Sequence, residues 1–534
     1  MSVSSSSSTE SMGEQLVADH QDNNHRHHHY DNYNNNKRGS SLQPLERLNV
    51  NGFLKMVGEF GRYQILLTIV FCLMFIPFTS HVLIMFFAAQ QSDWICVSNS
   101  TQCTLNGTFT SENDLRCHIP RSEWEYIQPK GISIVTDFDI YCENDWIISM
   151  SSSIVFIGWI VGAIILGWIA DSYGRKKVLF GSFFMMLTCG MIGTFVNNIH
   201  VFLLMRFLVG FFIPGTSYVM FVLISELVGD AYRATANNVL WASCTLSLCL
   251  LGLTAYFVRQ WKTLFLVCTA PYFILLLAYK FVPESVRWLR LKGKLDEALE
   301  IFETMAKFNG RKFNINATMR PVSGKSKSSP LELFKTKRMA IRTSLQGFVW
   351  MVNGAVYFGI SLAANDLGGS LYFDYVLVSI VELPAAVMAI WLCNRYGRRC
   401  TAYVSVTLAG LMTLLVAFVS SPNEARIALG MIGKFMIMIS FNSIGTLSVE
   451  LHPTDIRSEA LGILQIASRV GAASAPWIVQ AARVNHHGLP FIIMGVLGLM
   501  AGVATFFLPE TNRKETRETE NDITEEVLFM DEIK

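Results

Sequence analysis

GWIADSYGRKK, Gly167 to Lys177, closes one long apolar run, and CNRYGRR, Cys393 to Arg399, closes another in the second half of the chain. Each places an acidic or amide residue, then glycine, then two or three cations, at the end of an oil-rich segment. The same boundary recurring at equivalent places indicates a duplicated membrane bundle. Carriers assembled from two related halves hold substrate between them, near the middle of the bilayer. Charged and aromatic residues inside the apolar runs are therefore where chemistry is sought.

The rest of the chain fits that frame. Of 534 residues, 51% are hydrophobic and only 16% charged, against about 25% charged in soluble domains. The net charge of +2 and the lack of a basic cluster interleaved with aromatics give no case for nucleic acid. A bilayer crossing needs about 20 apolar residues as helix, and twelve runs qualify: Tyr63–Ala89, Trp146–Ala170, Val178–Val196, Val201–Ile224, Asn237–Phe257 and Leu264–Val282, then Ile341–Leu362, Leu371–Cys393, Ala402–Val419, Arg426–Val449, Leu461–Gln480 and Pro490–Leu508. The first run is too long for the core of a cleavable signal, about 7–15 residues. The expected organisation is a tail over 1–62, a six-helix bundle over 63–282 with a large loop at 90–145, a helical connector at 283–340, a second bundle over 341–508, and a tail at 509–534.

Cations in short loops set orientation. Arg175, Lys176, Lys177, Arg233, Arg395, Arg398, Arg399 and Arg457 share one side, whereas the opposite short loops hold only Arg259, Lys262 and Arg483. Both termini are thus expected in the cytosol and loop 90–145 outside. That loop carries Cys96, Cys103, Cys117 and Cys142, which allow two disulfides in three pairings. It also carries glycosylation sequons at Asn99 and Asn106, while a third, at Asn316, falls on the cytosolic side. The remaining cysteines sit in or beside apolar spans and read as small packing residues.

Met1–Arg62 is rich in Ser, Asn and His, including His25, His27, His28 and His29, and lacks apolar content to fold. The cluster reads as part of a solvated low-complexity tail and not as a metal site. Leu295, Ala298, Leu299 and Phe302 recur at helical spacing after PESVRWL. The absence of a GxxxxGK[ST] loop gives no support for ATP-driven pumping, no cofactor motif is present, and no nucleophile–base spacing argues for an enzyme.

These residues resemble the major facilitator superfamily and, within it, the organic ion transporter family of organic cation, carnitine and organic anion carriers. The likeness runs from about Phe53 to Thr511 and rests on GWIADSYGRKK, PESVRWL (shared with sugar porters), the cysteine-rich loop, VELP at Val381–Pro384, and VELHPTDIRSEALG at Val449–Gly462. It implies an all-α membrane protein with the major facilitator fold, twelve transmembrane helices in two six-helix halves, at a plasma membrane.

An ionisable group at mid-bilayer costs at least ~2.5–3.5 kcal/mol, so it is paired or functional. Glu382 lies ~16 Å into the eighth span at the helical rise of 1.5 Å per residue, with Pro384 freeing an upstream carbonyl as cavity-lining helices tolerate. It reads as a carboxylate for a cationic group, or as half of a structural ion pair. Arg469, about eleven residues on from Ser458, is again near the midplane by the same rise and suits a carboxylate, which a guanidinium grips with two donors. The resemblance implies arginine there in anion and carnitine carriers and an acid in dedicated cation carriers. Trp350, Asn353 and Tyr357 share a face of the seventh span, where aromatic faces attract ammonium groups; the resemblance places such aromatics beside the central cavity. Tyr218 and Trp241 are further candidates. His81 reads as a structural histidine.

At the cytosolic ends the resemblance implies a charge-paired gate: Asp171 with Arg175, Lys176 and Lys177, and likewise Glu226 and Arg233, Glu284 and Arg287, and Arg398. Glu450, beside His452 and Pro453, reads as a gate contact with Arg457. The expected function is alternating-access transport of a small organic cation or a carnitine-like zwitterion, with Na+, H+ or a counter-substrate as driving partner. An organic anion exchanger, a sugar porter and a non-transporting sensor are the rivals.

Overall fold

Backbone amides in hydrocarbon have no water to bond, so an apolar run crosses as helix. The computed structural model describes residues 47–97, 108–109, 114–313, 318–319, 333–364, 370–419, 423–452, 456–485 and 488–511. Its contacts define two units. In the smaller, Met1–Asn49 with Asn314–Arg320, Arg47–Leu48 pairs in parallel with Thr318–Met319. The larger, Val50–Phe313 with Pro321–Lys534, contains the helices.

Among the described residues, eleven helical spans are long and apolar enough to cross a membrane: Arg62–Ala88, Cys142–Tyr173, Arg175–Phe195, Ile199–Leu227, Asp230–Phe257, Trp261–Lys280, Lys337–Leu362, Leu371–Tyr396, Arg398–Val416, Asn423–Leu451 and Leu489–Phe506. One more, Arg457–Asn485, is 29 residues long but richer in polar and small residues. In sequence order it is the eleventh, and the two sets of six stand as expected. Its buried stripe is Ala460, Leu464, Ser468, Ala472, Ala475 and Val479. Small residues there let backbones meet closely: a Cβ on Gly471 would collide with the Met351 carbonyl, and one on Gly354 with the Ser468 carbonyl.

The eighth span is broken. Helix Leu371–Ile380 ends, and a new helix, Glu382–Tyr396, starts one residue later. Pro384 has no amide to give the Ile380 carbonyl, which is why the ladder stops there. The break puts Glu382 in the first turn of a half-helix at mid-span.

A helix precedes the first span, within the stretch expected as a tail. VNGFLKMV forms helix Val50–Val57, burying Val50, Phe53, Leu54 and Val57, an i, i+3, i+4, i+7 stripe. Phe53 stacks on Phe302 at 5.2 Å, a residue of the connector helix Leu295–Asn309. The large loop has a three-stranded sheet, with Trp94–Cys96 between Thr108–Phe109 and Trp124–Tyr126, over a core of Trp94 and Trp124. Cys117 and Cys142 are bonded, their Cα atoms 5.6 Å apart, and Cys96 is also in a disulfide. Cys103, Asn99, Asn106 and Asn316 lie outside the described residues.

The halves clasp each other at the loop end. Ser149 donates to the Pro476 carbonyl at 3.0 Å and to the Gln480 side chain. Ser153 donates to the Ala473 carbonyl at 2.7 Å, and Gln480 to the Asp145 carbonyl at 2.6 Å. Phe86 stacks on Tyr375 and Phe87 on Tyr372.

Candidate functional site

At the charge-rich end, opposite the loop, the same device is built twice. Gly174, at φ 109°, turns the second span into the third, and Gly397, at φ 99°, turns the eighth into the ninth; this is backbone only glycine adopts freely. In the first half Arg175 pairs with Asp171 at 3.0 Å and with Glu226 at 3.5 Å. Glu226 also accepts from the Ser285 hydroxyl. The Glu284 carboxylate accepts from the backbone amides of Arg175 (2.8 Å) and Lys176 (3.1 Å), capping the positive end of the third span. In the second half Arg398 pairs with Glu450 at 3.1 Å, Glu450 accepts from the Thr511 hydroxyl, and Glu510 accepts from the amides of Arg398 (2.9 Å), Arg399 (3.3 Å) and Cys400 (3.2 Å).

Several expected pairings are therefore rearranged. Glu450 pairs with Arg398, not Arg457, because Arg457 opens the next span and donates back to the His452 carbonyl at 3.2 Å. Arg233 and Arg287 do not reach Glu226 and Glu284. Both converge on Asp230 and Asn51, the latter accepting from Arg287 at 2.8 Å. Glu510 and Thr511 were missed by sequence reasoning, although PET at Pro509–Thr511 repeats PES at Pro283–Ser285.

The central site gathers on the broken eighth span. Glu382 is buried and accepts from the Tyr357 hydroxyl at 2.7 Å and from the Thr245 hydroxyl at 3.2 Å. Tyr357 is on the seventh span and Thr245 on the fifth, so this carboxylate spans the two halves. Lys434, on the tenth span, pairs with it at 3.3 Å, both side chains being 1–2% exposed. The Lys434 ammonium also donates to Ser361 Oγ (2.6 Å) and the Tyr357 carbonyl (3.1 Å), and lies over the Tyr357 ring. Lys434 was passed over in the sequence, yet one charge within GKFMIMISF is itself a signal at mid-span.

Arg469 also reaches the other half: its guanidinium sits 3.9 Å from the centre of the Trp159 ring. Its buried Nε has no partner among the described residues. Trp159 also meets Tyr218, with ring centres 6.0 Å apart, so Tyr218 joins the Arg469 side of the site. Trp350 donates to Ser448 at 3.0 Å, and Asn353 accepts from Ser440 at 3.1 Å; both are buried against the tenth span. Trp350 and Tyr357 share Phe441 as an edge-on neighbour. Trp241 is exposed and packs on Phe221, apart from this group. His81 is buried with Thr269 at 3.2 Å, and Arg206 donates to its carbonyl at 2.8 Å, as expected of a structural residue. A separate cavity of about 580 Å³ lies at the loop end, lined by Gln90, Glu143, Trp146 and Gln480 among others; it is outside the charged centre.

Two helical bundles, mirrored charge clusters at one end and opposite charges at mid-span define a multi-pass membrane carrier. Residues 100–523 match the family described as "Sugar (and other) transporter". The "Organic cation transporter protein" of Drosophila melanogaster is 30% identical, with 87% of this chain and 93% of that protein covered. "Solute carrier family 22 member 3" of Mus musculus is 31% identical, covering 75% and 73%, and "Organic cation/carnitine transporter 4" of Arabidopsis thaliana is 29% identical, covering 89% and 91%. The inward-open xylose transporter XylE from E. coli shares the fold, with a TM-score of 0.60 at 14% identity over 86% of this chain and 99% of that one. The chain belongs to the organic ion transporter family of the major facilitator superfamily, a family of transporters and not of enzymes.

Proposed function

We propose that this protein moves a small organic cation or, preferably, a carnitine-like zwitterion across a plasma membrane by alternating access. One observation carries the reading: Glu382 and Arg469, of opposite charge and both at mid-span, each touch a residue of the other half, Thr245 and Trp159. A substrate with an ammonium and a carboxylate would find a partner for each, offsetting its loss of water. Termini in the cytosol follow from the cation count in the short loops. The clasp at the loop end then corresponds to a state facing the cytosol. The large loop, outside, carries the Cys117–Cys142 bond, and glycans at Asn99 and Asn106. Na+, H+ or a counter-substrate supplies the drive.

A second reading, an organic anion carrier, gains from one fact: Lys434 already neutralises Glu382, leaving Arg469 as the surplus charge. Uptake of labelled carnitine, a quaternary amine and an aromatic carboxylate, with and without sodium, separates the two. Arg469→Ala is expected to lower carnitine and carboxylate uptake about tenfold more than amine uptake, the scale of one charge-assisted hydrogen bond. Equal loss across the panel overturns the reading.

A further inference from the structure

The surroundings of the Lys434 ammonium are a complete amine site: the Glu382 carboxylate, the Ser361 hydroxyl, the Tyr357 carbonyl and the Tyr357 ring face. These are the acceptors and the aromatic surface that a substrate's ammonium would seek. The protein fills the site with a side chain of its own. Glu382 also touches Thr245 across the seam, so it lies on the surface along which the halves must slide. A lone carboxylate on that surface would have to cross a water-free state whenever the carrier returned without cargo, and an unpaired charge in low dielectric opposes that step.

We propose that Lys434 is a tethered counter-ion that lets the substrate-free carrier reorient. This rests on the reading of Glu382 as the cation-binding carboxylate. When cargo arrives, its ammonium takes Glu382, and Lys434 falls back on the Ser361 hydroxyl and the Tyr357 carbonyl. When cargo leaves, Lys434 returns. Glu382, Lys434 and Arg469 together leave one positive charge, and a zwitterion adds none, so loaded and empty carriers cross with the same charge. A simple cation raises it. Net transport then proceeds without an obligatory counter-substrate, with the zwitterion as the favoured cargo.

The test uses full-length protein in vesicles and compares net uptake into empty vesicles with exchange against internal unlabelled substrate. It is run with carnitine and with tetraethylammonium, and the ratio is read on whichever the wild type carries. If neither moves, the substrate reading fails; the ratio addresses only the counter-ion. Lys434→Gln is expected to cut net uptake about a hundredfold, the order set by orphaning one member of a buried pair, while exchange falls by no more than about threefold. Lys434→Arg keeps both modes near wild type. An equal drop in both modes for Lys434→Gln overturns the proposal, as does a wild type that works only in exchange. Should Lys434→Gln fail to reach the membrane, Lys434→Met, which keeps the side chain's length without its charge, is read in its place: net uptake is again expected to fall far more than exchange, and an equal drop in both modes overturns the proposal.

Discussion

The two charge clusters at the end opposite the loop share a plan and differ in detail. Glu226 and Glu450 hold Arg175 and Arg398, while Glu284 and Glu510 cap the helices those arginines begin. Asp171 adds a second carboxylate to Arg175, whereas Asn394 stands at the corresponding place before Gly397. After Glu226-Leu227 comes a buried Val228; after Glu450-Leu451 comes a buried His452. The shared parts are half-buried or aimed at backbone amides, and the differing parts are an exposed acid and a single ring. Duplication has preserved what holds the turn and let the remainder drift.

Four measurements test how far the two clusters are equivalent. Arg175→Ala leaves Glu226 unpaired at 15% side-chain exposure and Arg398→Ala leaves Glu450 unpaired at 20%; each should cost about 3 kcal/mol, read as a lower thermal midpoint in detergent, with Arg175→Ala the more harmful because two carboxylates lose their partner. Equal shifts would mean that Asp171 contributes nothing to the cluster. Glu284→Gln and Glu510→Gln weaken a cap and should each cost about 1 kcal/mol. A much larger loss for one would show that the halves are not equivalent. Asp171→Asn gives the first half the residue of the second and, with the acid 75% exposed, should cost less than about 1 kcal/mol.

The smallest effect concerns His452. Burial holds its imidazole below the ordinary histidine range, partly countered by its bond to the Ser448 carbonyl. The unfolded chain takes a proton near pH ~6.5 that the folded one refuses, so its contribution to stability is intact above that pH and is lost as pH falls through it. His452→Val, which copies Val228, should flatten the thermal midpoint between pH 7 and 5. An unchanged slope would assign the dependence to other groups.

Repetition made the scaffold legible. The matched glycine boundaries announced two bundles, and Pro384 marked the freed carbonyl beside Glu382, though not the full break in the helix. Arg469 stood out because a guanidinium at mid-span has few innocent explanations. Trp159 did not, since in helices apolar on every side no periodicity separates a lipid-facing ring from one facing a cation. Lys434 was legible in principle, but its partner was not: pairing between the eighth and tenth spans is a matter of tertiary packing. Glu510 hid in what read as a tail, because a cap is recognised by the amides it meets and not by its own neighbours. The helix at Val50–Val57 was hidden by the polar stretch before it, although its four apolar positions fit one face.

The glycine contacts between the seventh and eleventh spans carry a mechanical corollary. With Gly354 against the Ser468 carbonyl and Gly471 against that of Met351, these two helices are seated backbone to backbone. Tyr357 and Arg469 must ride together as one plank. A covalent staple between those helices would go unnoticed through the whole cycle, whereas one joining Ser149 to Gln480 would freeze the machine in the posture seen here.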